Sequence, residues 1–89
     1  MGIDTEDLID VVLAEVKDEL VKACAKFPPF RSAHEGVAII EEEFLEFRAA
    51  AFWPHKEKEK FADETEARQL AAMAVRYIID INCTMRSPR

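Results

Sequence analysis

Two adjacent prolines, Pro28 and Pro29, separate long segments that each carry apolar residues at helical spacing, and this division constrains the fold more than any other feature. Proline has no amide hydrogen for a helical ladder, and it turns the residue before it away from the α region. Upstream, Leu8, Val12, Val16, Leu20 and Ala23 recur every three or four residues, the period of one helix face. Asp4 is placed to cap this helix. Asp4, Glu6 and Asp7 suit its positive end, and Lys22 and Lys26 its negative end. The pattern predicts a first helix over residues 4–26.

Downstream, "SAHE" reads as a capping box in which Ser32 accepts from the Glu35 amide and Glu35 reaches back. Val37, Ile40, Phe44, Phe47 and Ala51 then form a second stripe, so a helix is expected over 32–53, ended by Pro54. After the charged connector "PHKEKEKFADET", "DETE" offers another capping box through Asp63 and Glu66. Ala67, Leu70, Ala71, Ala74, Tyr77, Ile78 and Ile81 predict a third helix over 63–84, with its alanines allowing a neighbour to approach closely. Only two glycines occur in 89 residues, which disfavours a turn-rich β fold. The expected architecture is one all-α domain, 1–89, an antiparallel bundle of three main helices. So short a chain buries only about 60–65% of its unfolded surface, so a second copy is expected to complete the core, as a homodimer or higher homo-oligomer.

The net charge of −6 argues against a nucleic-acid polymer or an anionic membrane surface as partner. No apolar run approaches the roughly 18 residues of a membrane span. Met1 to Glu6 lack the basic and apolar regions of an export signal. Cys24 and Cys83 have no metal-ligand spacing and read as reduced thiols, which together with the missing signal points to the cytoplasm.

The second helix carries an unusual load of acid: Glu35, Glu41, Glu42, Glu43 and Glu46. At about 100° per residue, Glu35, Glu42, Glu43 and Glu46 share one flank, Glu43 at the edge of the apolar stripe, while Glu41 falls on the opposite shoulder. On the third helix Glu66 and Gln69 also stand one turn apart. If the two helices are antiparallel neighbours, oxygen-bearing pairs face one another across the seam. Hard oxygen ligands of this kind suit magnesium or manganese, and a cation would relieve the like-charge repulsion. A solvated acidic face, neutralised by Arg48 and the connector lysines, is the alternative that spacing leaves open.

These residues resemble a known family. "EEFLE", Glu42 to Glu46, is similar to the EExxE element of the MazG-like all-α nucleoside triphosphate pyrophosphohydrolases. "EARQ", Glu66 to Gln69, stands where that family carries ExxD on a second helix, with 19 residues between Glu46 and Glu66. The similarity extends over about residues 27–81, and "FRSAHEG", "EEEFLEF" and "ARQLAAMAVRYIID" in that order look like a small, often phage-associated or uncharacterised branch. The resemblance implies hydrolysis of the α–β phosphate bond of a nucleoside triphosphate, giving a monophosphate and pyrophosphate. It implies Mg²⁺, or Mn²⁺, on Glu43, Glu46, Glu66 and Gln69, with Glu42 an adjacent ligand or the group that orients the water. Gln69 replaces the family's aspartate. An amide oxygen can ligate a hard cation, but it brings no charge and is a poor proton acceptor. Asp63, one turn before Glu66, is a possible substitute; Asp80, about 21 Å along the helix, is not. The resemblance therefore implies either an enzyme or a helical dimer that binds a nucleotide or protein partner without turnover.

Other residues fit this reading. His34 can meet a phosphate or a base, or be a surface residue of a capping turn. Trp53 and Phe52 can stack on a base or close the end of the bundle. Lys56, Lys58, Lys60 and Arg31 can grip a triphosphate or sit in a solvated loop. Arg76 can pair with a glutamate of the second helix or with a phosphate, and Met73 reads as core. No Ser–His–Asp or Cys–His spacing and no glycine-rich phosphate loop is present.

Overall fold

In the computed structural model, residues 2, 4–53 and 61–83 are described. They form three α-helices, α1 (Thr5–Lys26), α2 (Ala33–Phe52) and α3 (Ala62–Tyr77), and α3 continues into a π-helical turn, Ile78–Cys83. Among the described residues there is no strand, and no helix is long and apolar enough to cross a membrane. The all-α expectation and the prolines' role as dividers hold. Lys56, Lys58, Lys60, Pro54 and the residues after Cys83 lie outside the described residues.

The caps differ in detail from expectation. Asp4 precedes α1 without a side-chain cap bond. Ser32 Oγ accepts from the Glu35 amide at 3.1 Å, as expected. Glu35, however, reaches past Ser32 and accepts from the Arg31 amide at 2.7 Å and from Arg31 Nη2 at 2.9 Å. The third helix starts at Ala62 behind Phe61, whose φ is 66°. The expected Asp63–Glu66 box does not form: Asp63 Oδ1 accepts from the Glu64 amide at 2.9 Å, and Glu66 turns to the helix seam instead.

α3 is the central element. Both α1 and α2 pack along it and make little contact with each other. α2 runs antiparallel to α3: Gly36 lies against Tyr77 near one end of the seam, and Glu46 approaches Glu66 towards the other. Gly36 has a steric reason. A Cβ there would sit 2.6 Å from Tyr77 Cδ2 and 3.1 Å from Phe30 Cδ2, inside van der Waals contact. α1 runs parallel to α3: Arg68 Nη1 donates to Glu15 at 3.3 Å, and Arg76 Nη1 donates to the Ala23 carbonyl at 3.3 Å. The close approach expected at Ala67, Ala71 and Ala74 occurs chiefly at Ala72, 1% exposed.

The apolar stripes are only partly internal. Val16, Phe30 and Ala72 are the buried apolar residues among those described, whereas Leu8, Val12, Val37 and Phe44 of the predicted stripes are about half exposed. α2 turns Gly36, Ile39, Ile40, Glu43, Phe47 and Ala50 inwards, so Ile40 and Phe47 of its stripe are partly covered while the inward face is rotated toward the acidic flank.

Arg76 ties the end of α1 and the following hinge to the end of α3. Its side chain is 3% exposed. Nε donates to Asp80 Oδ2 at 3.0 Å, Nη2 to the Phe27 carbonyl at 2.8 Å, and Nη1 to Ala23. Asp80 Oδ2 also accepts from the Phe30 amide at 2.9 Å, and the guanidinium lies over the Phe30 ring, 5.6 Å from its centroid. The end of α1, the Pro28–Pro29 hinge and the end of α3 therefore share one ion pair. Removing one partner of a buried pair strands the other's charge. Arg76→Leu is expected to cost about 3–5 kcal/mol, and Asp80→Asn, which keeps a polar acceptor, about 1–3 kcal/mol, both measured by urea unfolding.

Candidate metal centre and adjoining groove

The α2–α3 seam brings Glu43, Glu46 and Glu66 together. One carboxylate oxygen from each lies within 4.8 Å of the others. Glu43 and Glu46 are one turn apart on α2, and the antiparallel register sets Glu66 opposite them. Glu43 Oε1 and Glu66 Oε1 are buried and accept no hydrogen bond. An orphaned buried carboxylate oxygen is costly. A hard divalent cation answers that cost directly, because it accepts several oxygen donors at once and neutralises their charge.

The electrostatics point the same way. Burial raises the Glu43 carboxyl above its ordinary value, and the charges of Glu46, Glu66 and Glu42 raise it further. Burial and then Glu46 raise Glu66. The folded protein thus holds these protons to higher pH than the unfolded chain. Stability from these groups is greatest at and below the ordinary carboxylate range and is lost as pH rises through the raised values. Glu35 is lowered, chiefly by its hydrogen bonds from Arg31, but its partner is exposed and the pair's effect is screened. The metal-free protein is expected to show a lower Tm at pH 7 than at pH 5, and added Mn²⁺ should raise Tm at pH 7 and do little at pH 4.5. Calorimetric scans across pH, with and without Mn²⁺, check both.

The other expected site residues fall as follows. Gln69 and Glu42 line a groove beside the cluster, together with Glu43. Asp63 is exposed in the first turn of α3 and engages its own helix. His34 is exposed in the first turn of α2. Trp53 and Phe52 are exposed at the far end of α2, their rings edge to face at 6.0 Å with the Arg48 guanidinium over both; they do not close the bundle. Arg76, expected to meet a glutamate of α2 or a phosphate, is committed instead to Asp80 and two carbonyls at the end of α1. Arg31 pairs with Glu35.

The groove has a volume of about 880 Å³, in the range of small-molecule sites. α3 forms its floor through Gln69, Ala72, Met73 and Arg76. The C-terminal half of α1 and the N-terminal half of α2 form its walls, and the hinge from Phe27 to Arg31 closes one end. Sequence reading did not anticipate it. The groove exists because α1 and α2 both contact α3 but diverge from one another, which no stripe on a single helix reveals. The Arg76–Asp80 spacing of four residues was the one local signal of the hub that holds its closed end.

No protein-family model, curated protein or solved structure matches the chain.

Proposed function

We propose that the chain is a divalent-cation-dependent nucleoside triphosphate pyrophosphohydrolase of MazG-like type. The supporting observation is the convergence of Glu43, Glu46 and Glu66 from two helices, with two of their oxygens buried and lacking donors. Glu43, Glu46 and Glu66 would hold Mg²⁺ or Mn²⁺, with Gln69 beside Glu43 as a neutral oxygen donor. Such an ion, when bound, offsets negative charge on a polyphosphate and lowers the pKa of an attacking water. Glu42, exposed and directly before Glu43 in the chain, would be an adjacent ligand or would orient that water and take its proton. The substrate is a ribo- or deoxynucleoside triphosphate cut between the α and β phosphates.

Calorimetric titration with Mg²⁺ and a panel of nucleoside triphosphates, followed by product analysis, tests this reading. Release of monophosphate and pyrophosphate supports it. Binding without turnover favours the second reading, a helical dimer that retains a nucleotide site but has lost catalysis. The specific observation behind that alternative is Gln69, which contributes no charge where the resemblance calls for an aspartate.

The working unit of this proposal is a homodimer. Among the described residues, Leu8, Ile9, Val12 and Leu13 along α1 and Phe44 and Leu45 on α2 are about half exposed, an apolar surface that a second copy would cover.

A further inference from the structure

We infer that two copies of the chain pair through α1 in antiparallel register, the first turns of each α1 seating at the groove of the other; the inference rests on the homodimer reading and not on the metal. One line of side chains carries it. At about 100° per residue, Leu8, Val12, Glu15, Glu19, Lys22 and Lys26 fall within about 40° of a single line along α1, and Asp4 stands at its start. The second half of that line, from Glu19 onward, is a wall of the groove. The first half is open, with Leu8 and Val12 about half exposed. A helix laid along the apolar half therefore continues onto the groove wall, because the two are one face of α1.

Charge selects both the occupant and its direction. Residues 4–15 hold five acids, Asp4, Glu6, Asp7, Asp10 and Glu15, and no base. Residues 16–27 hold all three lysines of the helix, Lys17, Lys22 and Lys26, against two acids, Asp18 and Glu19. A parallel pair sets acid against acid, whereas an antiparallel pair sets each acidic half against the other's lysines. With the dyad at Glu15, Asp4 stands opposite Lys26 of the partner subunit, and Asp7 and Leu8 opposite Lys22 of the partner subunit. Neither Lys22 nor Lys26 makes an ion pair with the described residues. Glu15, on the axis, is already paired with Arg68 of its own chain at 3.3 Å. The crossing also has a fixed level. The contacts of Glu15 with Arg68 and of Ala23 with Arg76 each join residues 53 apart, which sets Val16 level with Gln69. Gln69 and Glu43 line the groove beside the carboxylate cluster. The dyad therefore falls at the level of the cluster, and the second copy screens its groove side from water.

Sedimentation of the whole chain tests this, with K22E/K26E, D4K/D7K and a 1:1 mixture of the two variants. Each variant alone sets like charges together and should raise the dimer's Kd about ten-fold or more. In the mixture every reversed charge meets its opposite again, so the Kd should return close to the native value. Fraying of α1 is not repaired by mixing. A cysteine pair reads the register independently. Residues 4 and 26 are about 33 Å apart within one α1, so a disulfide between them joins two chains. D4C/K26C in a C24S/C83S background should oxidise to a covalent dimer, and D4C or K26C alone should not. The inference is overturned if the native chain dimerises but the mixture stays as weak as its parts, or if D4C/K26C yields no covalent dimer; the copies then meet elsewhere and the homodimer reading stands. A native chain that is monomeric at every concentration overturns both, and leaves this face to a molecule of another kind.

Discussion

A protein carrying both Glu43→Gln and Glu46→Gln is expected to bind Mn²⁺ at least about 100-fold more weakly than the native chain, and to lose turnover of any accepted nucleotide by about 10²–10³-fold. It is also expected to be more stable without metal at pH 7. The opposite signs are the diagnostic point. In the native chain the two glutamates repel each other and Glu66 while two of the cluster's oxygens lack donors. Glutamine removes the charge, keeps the shape and can donate to the orphaned Glu66 oxygen. A purely solvated acidic face would show neither loss nor gain, because its members are hydrated and screened. Mn²⁺ relaxation titration and urea unfolding of native and double-variant protein check the two halves. Unchanged Mn²⁺ affinity would remove the basis for a hydrolytic role.

Placing glutamate at Leu8 and Val12 is expected to convert a dimer into a monomer over the micromolar range, raising its dissociation constant about 100-fold or more. Sedimentation across a concentration series measures the change. These residues lie one turn apart on the same face of α1, both about half exposed in the single chain, so their replacement disturbs little intrachain packing. The native Tm should rise with protein concentration, and the variant's should not, because association linked to folding stabilises by mass action. A native chain that sediments as a monomer at every concentration would refute the shared core. The apolar faces would then need another partner.

Much of the architecture could be read directly from residue spacing. Pro28–Pro29 and Pro54 bound α2, and Ser32 caps it as its sequence suggests. Glu43 was placed at the edge of the packed face by helical periodicity alone, and its convergence with Glu46 and Glu66 needed only the added assumption of antiparallel neighbours. What could not be read is tertiary. Periodicity reports which residues are apolar, not how many neighbours a helix has. For α1 and α2, which each rest chiefly on α3, it therefore overstated the buried set, and Leu8, Val12, Val37 and Phe44 remain outside. Arg76 misled for a different reason. A lone arginine on an apolar face fits a ligand contact as well as a structural one, and only the approach of the α1 C-terminus, 49 residues away in sequence, decides between them. The capping box at Asp63 does not form because α3 begins one residue earlier, at Ala62 behind Phe61, which puts Asp63 inside the first turn.

The parallel placement of α1 against α3 carries one more consequence. The hairpin of α2 and α3 contains every member of the carboxylate cluster, whereas α1 is fastened mainly from Glu15 onward. The first two turns of α1 lie before that anchorage, with Leu8, Ile9, Val11 and Val12 about half exposed, so they are where the helix is expected to open first. Local opening of this kind costs little where apolar contacts are few. The chain therefore divides into an apolar, lightly fastened arm and a hairpin that holds the acidic cluster, so that the proposed association through the one and the proposed metal binding by the other would be separable properties of the same small fold.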